Sequence, residues 1–217
     1  MDRYGARATQ AGGLSSSRLY MCTADRPDLA QFLEACISGG VDMVQLRDKL
    51  LEARPLLRRA RLAALVCRDM GVPFILNDRP DLALEVGADG VHVGQDDAPP
   101  ALARRILGPG ALVGYSTHSP EELEDALDEP ADYLAAGPVS STPTKPGRPG
   151  TGLEYLTYVA SRCRRPWFVT GGVTPETIPD MAAAGARRFV VVRYLTRASD
   201  PRAAAAALRA AIDESVA

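Results

Sequence analysis

Histidine, tryptophan and paired cysteines are scarce in this chain. Of 217 residues, two are histidine, one is tryptophan and four are cysteine. The cysteines, Cys22, Cys36, Cys67 and Cys163, form no C-x-x-C pair and have no histidine beside them, which excludes a zinc cage and a disulfide framework. Reduced, mostly buried thiols in a cytoplasmic protein are the expectation. No uninterrupted apolar run approaches the roughly 18 residues of a bilayer span. Nor is there a surplus of positive charge: 25 Lys and Arg stand against 27 Asp and Glu, a net charge of -2. A general nucleic-acid or membrane-surface binder would need that surplus.

What is present is ordinary globular material, 46% hydrophobic and 24% charged, enough to bury a sizeable core. Residues 1–17 are polar and rich in Gly and Ser without an apolar centre, so they read as a disordered lead-in, not a secretory signal. Residues 18–217 read as one domain. Eight short apolar runs follow: Leu19–Cys22, Met43–Leu46, Pro73–Leu76, Gly90–Val93, Leu112–Tyr115, Tyr133–Ala136, Trp167–Thr170 and Phe189–Val192. They lack clean alternation, as expected of parallel strands covered on both faces. Helix signals lie between them. Pro27–Ser38 ends at a Gly pair, Ser119-Pro120-Glu121-Glu122 offers a cap and first-turn acid, and Thr174-Pro175 and Asp200-Pro201 start two more. Strand–helix alternation repeated eight times predicts an α/β fold, a single (β/α)₈ TIM barrel. A doubly wound open sheet shares the alternation, but no G-x-G-x-x-G turn follows the first strand.

In such a barrel the working residues lie at the carboxyl ends of the strands. There the chain carries Gln45, Arg47 and Lys49 after strand two, Asn77 and Asp78 after strand three, and Asp97 after strand four. Ser116 and His118 follow strand five, Thr142, Pro143, Thr144 and Lys145 follow strand six, Gly171 and Gly172 follow strand seven, and Val192 and Arg193 close strand eight. The cations and hydroxyls suit anions; the two carboxylates would repel them. A divalent ion such as Mg²⁺ between Asp78, Asp97 and a diphosphate reconciles the two. Gly171-Gly172 ahead of a helix start suits a second phosphate. Singly, each residue has a plainer reading: Asp78 or Asp97 as a helix cap, Thr142–Thr144 as a turn, His92 as a core or supporting histidine. His118 stays open between the two. So many strand ends equipped for one phosphate-rich ligand set favour the functional reading, and no Ser/His/Asp order or covalent nucleophile stands out.

The series Gln45-Leu46-Arg47-Asp48-Lys49, Asn77-Asp78, His92-Val93-Gly94-Gln95-Asp96-Asp97, Gly114-Tyr115-Ser116-Thr117-His118, Gly137-Pro138-Val139 with Thr142-Pro143-Thr144-Lys145, and Gly171-Gly172-Val173-Thr174 closely resembles the motifs of thiamine-phosphate synthases, in that family's order. The resemblance implies a TIM barrel that joins a hydroxymethylpyrimidine diphosphate to a thiazole phosphate with Mg²⁺, giving thiamine phosphate and diphosphate. It implies that Gln45, Leu46, Arg47, Asp48 and Lys49 hold the pyrimidine diphosphate and that Asn77 touches the pyrimidine. Asp78 and Asp97 would ligate magnesium, and Ser116 and Lys145 would hold the diphosphate. Thr142, Pro143, Thr144, Gly172, Val192 and Arg193 would hold the thiazole phosphate. Arg47, Lys49, Ser116 and Lys145 are the catalytic candidates; the partners are small molecules, and a homo-oligomer is compatible with all of this.

Ser140-Ser141, Leu50, Thr170 and Tyr194 depart from the family pattern and bear on loop shape and substrate grip. A related thiazole tautomerase shares the barrel and the rim histidine but not the diphosphate set. A silent phosphate-binding barrel would not keep Asp78, Asp97 and Lys145. Another sugar-phosphate enzyme would have no use for Gln45.

Overall fold

The structure, a computed structural model, describes residues 14–141 and 150–216. Eight parallel strands close on one another in sequence order: β1 (Leu19–Thr23), β2 (Met43–Leu46), β3 (Phe74–Asn77), β4 (Gly90–Val93), β5 (Leu112–Thr117), β6 (Tyr133–Ala136), β7 (Trp167–Val169) and β8 (Phe189–Val191). The expected barrel is therefore present and the open sheet is not. Nearly every strand residue is buried, because helices cover one face and the barrel interior the other. The helices are α1 (Leu29–Ser38), α2 (Ala53–Asp69), α3 (Pro80–Val86), α4 (Pro100–Leu107), α5 (Pro120–Leu127), α6 (Gly152–Arg162), α7 (Ile178–Ala183), α8 (Arg193–Thr196) and α9 (Pro201–Ser215).

Several starts follow the local chemistry in the sequence. The Ser119 hydroxyl accepts from Glu122 N–H at 3.2 Å and Asp200 accepts from Ala203 N–H at 2.9 Å, each beside a Pro in the first turn. One expected start moves. Thr174-Pro175 does not open a helix, because Thr177 Oγ1 accepts from Thr174 N–H (2.9 Å) and donates to Gly172 O (2.8 Å). That closes a separate turn, and α7 begins only at Ile178. Strand β5 runs two residues past its expected end, since Ser116 and Thr117 pair with Ala135 and Ala136 of β6.

The sheet separates two cores. Outside it, residues such as Leu46, Leu76, Val91, Leu134 and Val169 meet the helices. Inside, Tyr20, Met43, Ile75, Leu112, Tyr133, Phe168 and Val190 fill the barrel, with the Tyr20, Tyr133 and Phe168 rings edge-to-face at 5.3–6.0 Å. Leu14 joins this interior cluster, and the Ser17 hydroxyl donates to Asp42 O at 3.2 Å. Residues 14–17, expected as part of the lead-in, thus pack against the barrel. Among the described residues no helix is long and apolar enough to cross a membrane.

Candidate active site

At the carboxyl ends of the strands lies a cavity of about 350 Å³, lined by Gln45, Arg47, Lys49, Asn77, Asp78, His92, Asp97, Ser116 and His118 among others. A second cavity of about 240 Å³ adjoins it, lined by Gly171, Gly172, Arg193 and Tyr194, and the two share Thr170, Val190 and Val192 as a common wall.

Strand geometry decides who reaches the first cavity. Alternate residues of a strand point to opposite faces, so Gln45 and Arg47 face the cavity while Leu46 is buried in the outer core. Of the stretch expected to hold the pyrimidine diphosphate, Leu46 thus turns its side chain away from the cavity. Asp48 is turned away as well: its carboxylate accepts from the N–H groups of Asp25 (3.2 Å), Leu50 (2.9 Å) and Leu51 (3.1 Å) and shapes the loop after β2. That loop sends Lys49 over the cavity mouth and leaves Leu50 93% exposed.

The ends of β3 and β4 supply the carboxylates. Asp78 adopts a left-handed backbone (φ 62°), which Asp tolerates better than most residues. Its N–H donates to His92 O at 2.8 Å, which extends the β3–β4 ladder, and its carboxylate meets Lys49 Nζ at 3.0 Å. Asp97 reaches the same ammonium at 3.8 Å and is held from behind by Gly94 N–H at 2.8 Å. Burial and the neighbouring Asp97 push the Asp78 carboxyl above its ordinary range, with Lys49 opposing. Burial acts against ionisation of Asp97 too, but the hydrogen bond from Asp78, the Gly94 N–H and Lys49 outweigh it and hold Asp97 below the ordinary range. Two carboxylates that converge on one cationic group fit a divalent ion that prefers oxygen. Magnesium takes one or two carboxylates and completes its shell with water and phosphate oxygens.

Ser116 presents its hydroxyl at the end of β5, 2.8 Å from His92 Nε2, while Gln95 Nε2 donates to Ser116 O at 2.8 Å. His92 is the buried supporting histidine of the plainer reading. His118 lines the cavity, and Glu122 holds it through both its N–H (2.8 Å) and Nδ1 (2.7 Å). Tyr20 and Cys22 also line the cavity and carry no motif of their own in the sequence, while Gln95 and Asp96, which line it too, belong to the His92–Asp97 series without a role assigned to either there.

In the second cavity Gly171 and Gly172 both have positive φ (93° and 79°). A Cβ on Gly172 would stand 2.9 Å from Ser140 Oγ, so glycine keeps that wall open. Val192 and Arg193 lie where β8 passes into α8, the short extra helix on which TIM barrels often seat a phosphate. Thr142, Pro143, Thr144 and Lys145 lie outside the described residues.

Residues 19–195 match the profile of the family described as thiamine monophosphate synthase. The chain belongs to that family. Among its relatives, the thiamine-phosphate synthase of Thermobifida fusca is 50% identical over 202 residues, 90% of this chain and 92% of that protein. That of Saccharopolyspora erythraea is 47% identical, covering 96% and 97%. The solved thiamine phosphate pyrophosphorylase of Pyrococcus furiosus superimposes with a TM-score of 0.84 at 30% identity, covering 92% of this chain and 97% of that one. Members of the thiamine monophosphate synthase family thus share this chain's fold along nearly its whole length.

Proposed function

We propose that this chain is a cytoplasmic thiamine-phosphate synthase: it joins 4-amino-2-methyl-5-(diphosphooxymethyl)pyrimidine to a thiazole phosphate, releasing thiamine phosphate and diphosphate. The observation that carries this reading is the pair of joined cavities. One combines an amide pocket (Gln45, Asn77) with cationic and hydroxyl groups and two carboxylates, and the other is a glycine-walled pocket of phosphate type.

In the first cavity Gln45 and Asn77, both buried at strand ends, orient the aminopyrimidine. Arg47, Lys49 and Ser116 hold the diphosphate, and Lys145 of the loop after β6 would join them. Asp78 and Asp97 would hold Mg²⁺, which when bound offsets the charge that builds on the departing diphosphate. The bond between the exocyclic methylene and the diphosphate oxygen breaks with both electrons leaving on oxygen, and the aminopyrimidine ring delocalises the resulting cation. The thiazole nitrogen, presented across the shared wall of Thr170, Val190 and Val192, gives its lone pair to that carbon. No proton need be removed by the protein and no protein nucleophile takes part. The chain contributes orientation and exclusion of water, worth several kcal/mol in a two-substrate reaction. Gly172, Val192 and Arg193, with Thr142, Pro143 and Thr144, hold the thiazole phosphate.

The test is direct. Purified protein mixed with both substrates and Mg²⁺ should form thiamine phosphate and diphosphate in equal amounts, and a chelator should stop it. Absence of product with both substrates and the ion present would overturn the assignment.

A further inference from the structure

A line of buried side chains crosses the barrel beneath the first cavity and joins two of its substrate-facing groups. Gln45 Nε2 donates to Tyr20 OH at 2.6 Å, and Tyr20 OH lies 3.0 Å from Tyr133 OH. Tyr133 OH is 3.3 Å from His92 Nδ1, and His92 Nε2 is 2.8 Å from Ser116 Oγ. Tyr20 and Tyr133 are almost completely shielded from solvent, and none of the five side chains is more than 8% exposed. The path also needs Gly114. A Cβ there would stand 2.4 Å from both His92 Nδ1 and the Tyr133 hydroxyl oxygen and 2.2 Å from Tyr133 Cζ, so the His92–Tyr133 contact runs over bare backbone.

The chemistry of the first link sets the order of the rest. Cys22 Sγ donates to Gln45 Oε1 at 3.3 Å, which turns the amide nitrogen toward Tyr20. Tyr20 accepts from Gln45, which lets its own proton go on to Tyr133. In that order Tyr133 donates to His92 Nδ1, and the proton of a neutral imidazole stands on Nε2, directed at Ser116 Oγ. A doubly protonated His92 would donate at both nitrogens and turn the Tyr133 hydroxyl around, leaving the Tyr20 proton without an acceptor in this line. Ser116, which accepts from His92, keeps its own O–H to give.

We propose that Tyr20, Tyr133 and His92 are positioning residues whose hydrogen bonds run one way, from the Gln45 amide to Ser116, and so hold the Ser116 proton toward the cavity that takes the diphosphate. The inference rests on the reading of Ser116 as a diphosphate-holding group. It makes the amide that meets the pyrimidine and the hydroxyl that meets the leaving group parts of one ordered line. It also gives Gly114 and the barrel tyrosines a task beyond filling space.

With two histidines in the chain, the ¹⁵N spectrum of histidine-labelled protein is simple, and a His118→Gln variant assigns it. The unliganded protein should show the His92 proton on Nε2. Tyr133→Phe removes the donor to Nδ1; the His92 resonances should shift to those of exchanging tautomers, and kcat should fall about tenfold with KM for the thiazole phosphate unchanged. Tyr20→Phe, one link earlier, should move both readouts in the same direction by less. In a Ser116→Ala background Tyr133→Phe should cost nothing further, because its effect passes through that hydroxyl. A His92 proton on Nδ1, or an imidazolium, overturns the ordered line while leaving the synthase reading intact. An equal loss from Tyr133→Phe with and without Ser116 overturns the positioning role. Full activity of Ser116→Ala overturns the place of Ser116 on the diphosphate, whatever the tautomer.

Discussion

Lys49 sits between Asp78 and Asp97 at 3.0 and 3.8 Å, and the three form one electrostatic unit. Removing a single carboxylate leaves the lysine paired to the other and takes away half of the oxygen donors offered to a metal. Asp78→Ala is expected to abolish Mg²⁺-dependent turnover; titration of the variant with Mg²⁺ under assay checks it, and wild-type turnover would remove Asp78 from the metal. The neighbours Leu46 and Arg47 separate two kinds of importance within one motif. Leu46→Ala empties a site 1% exposed beneath the helices and should cost about 2–5 kcal/mol in a denaturant melt, leaving KM of the folded fraction unchanged. Arg47→Ala should do the reverse, weakening the pyrimidine diphosphate with little change in the melt. The motif grouped the two together, and alternation along β2 separates them once the strand has a cavity on one face and helices on the other. What was not legible was the use of Tyr20 and Tyr133, which read there as bulky strand residues. Their hydroxyls acquire partners only once barrel closure brings β1, β4 and β6 around a common axis.

At the scale of elements, the caps written in the sequence place α5 and α9 well, and the one misplaced start, α7, turns on a hydroxyl that closed its own turn first. A clasp between α5 and α6 was not legible, because its partners are more than thirty residues apart. Glu124 accepts from Tyr158 OH (2.8 Å) and from Arg162 Nε and Nη2 (2.8 and 2.7 Å). These bonds, Arg162 first, hold the Glu124 carboxyl down to about 2. A carboxyl whose folded pKa lies below its unfolded value adds stability fully above the unfolded value, near 4.5, and loses it as pH falls toward 2. Glu124→Gln should therefore lower the melting temperature slightly at pH 7, and the gap from wild type should close as pH drops from about 4.5 toward 2. The effect is small because the clasp is exposed to solvent. A gap independent of pH would mean that the pair contributes through packing alone.

For the molecule as a whole, the motif order along the chain carried the barrel and the family, since strand ends in a closed ring face one mouth whatever their separation in sequence. The bottom of the ring was harder to read, as a single leucine in a Gly/Ser-rich stretch gives no sign that it will be enclosed. Phe168 stands against both interior tyrosines, so Phe168→Ala should cost about 3–5 kcal/mol and disturb the cavity floor along with stability, measured by denaturation and by KM together. All four thiols are buried and unbridged, and burial lifts Cys36 to about 12. A thiol reagent should leave Cys36, Cys67 and Cys163 untouched in the native protein, meet at most Cys22 through the cavity it lines, and count all four only after unfolding.

The partition of Thr170, Val190 and Val192 works as a gauge. Because one set of side chains bounds both chambers, the distance between the chambers is fixed by β7, β8 and the loop after β7 before any guest arrives. A bulkier residue at 192 would then fail selectively. It would admit each partner alone and forbid the pair, leaving an enzyme that saturates twice and makes nothing.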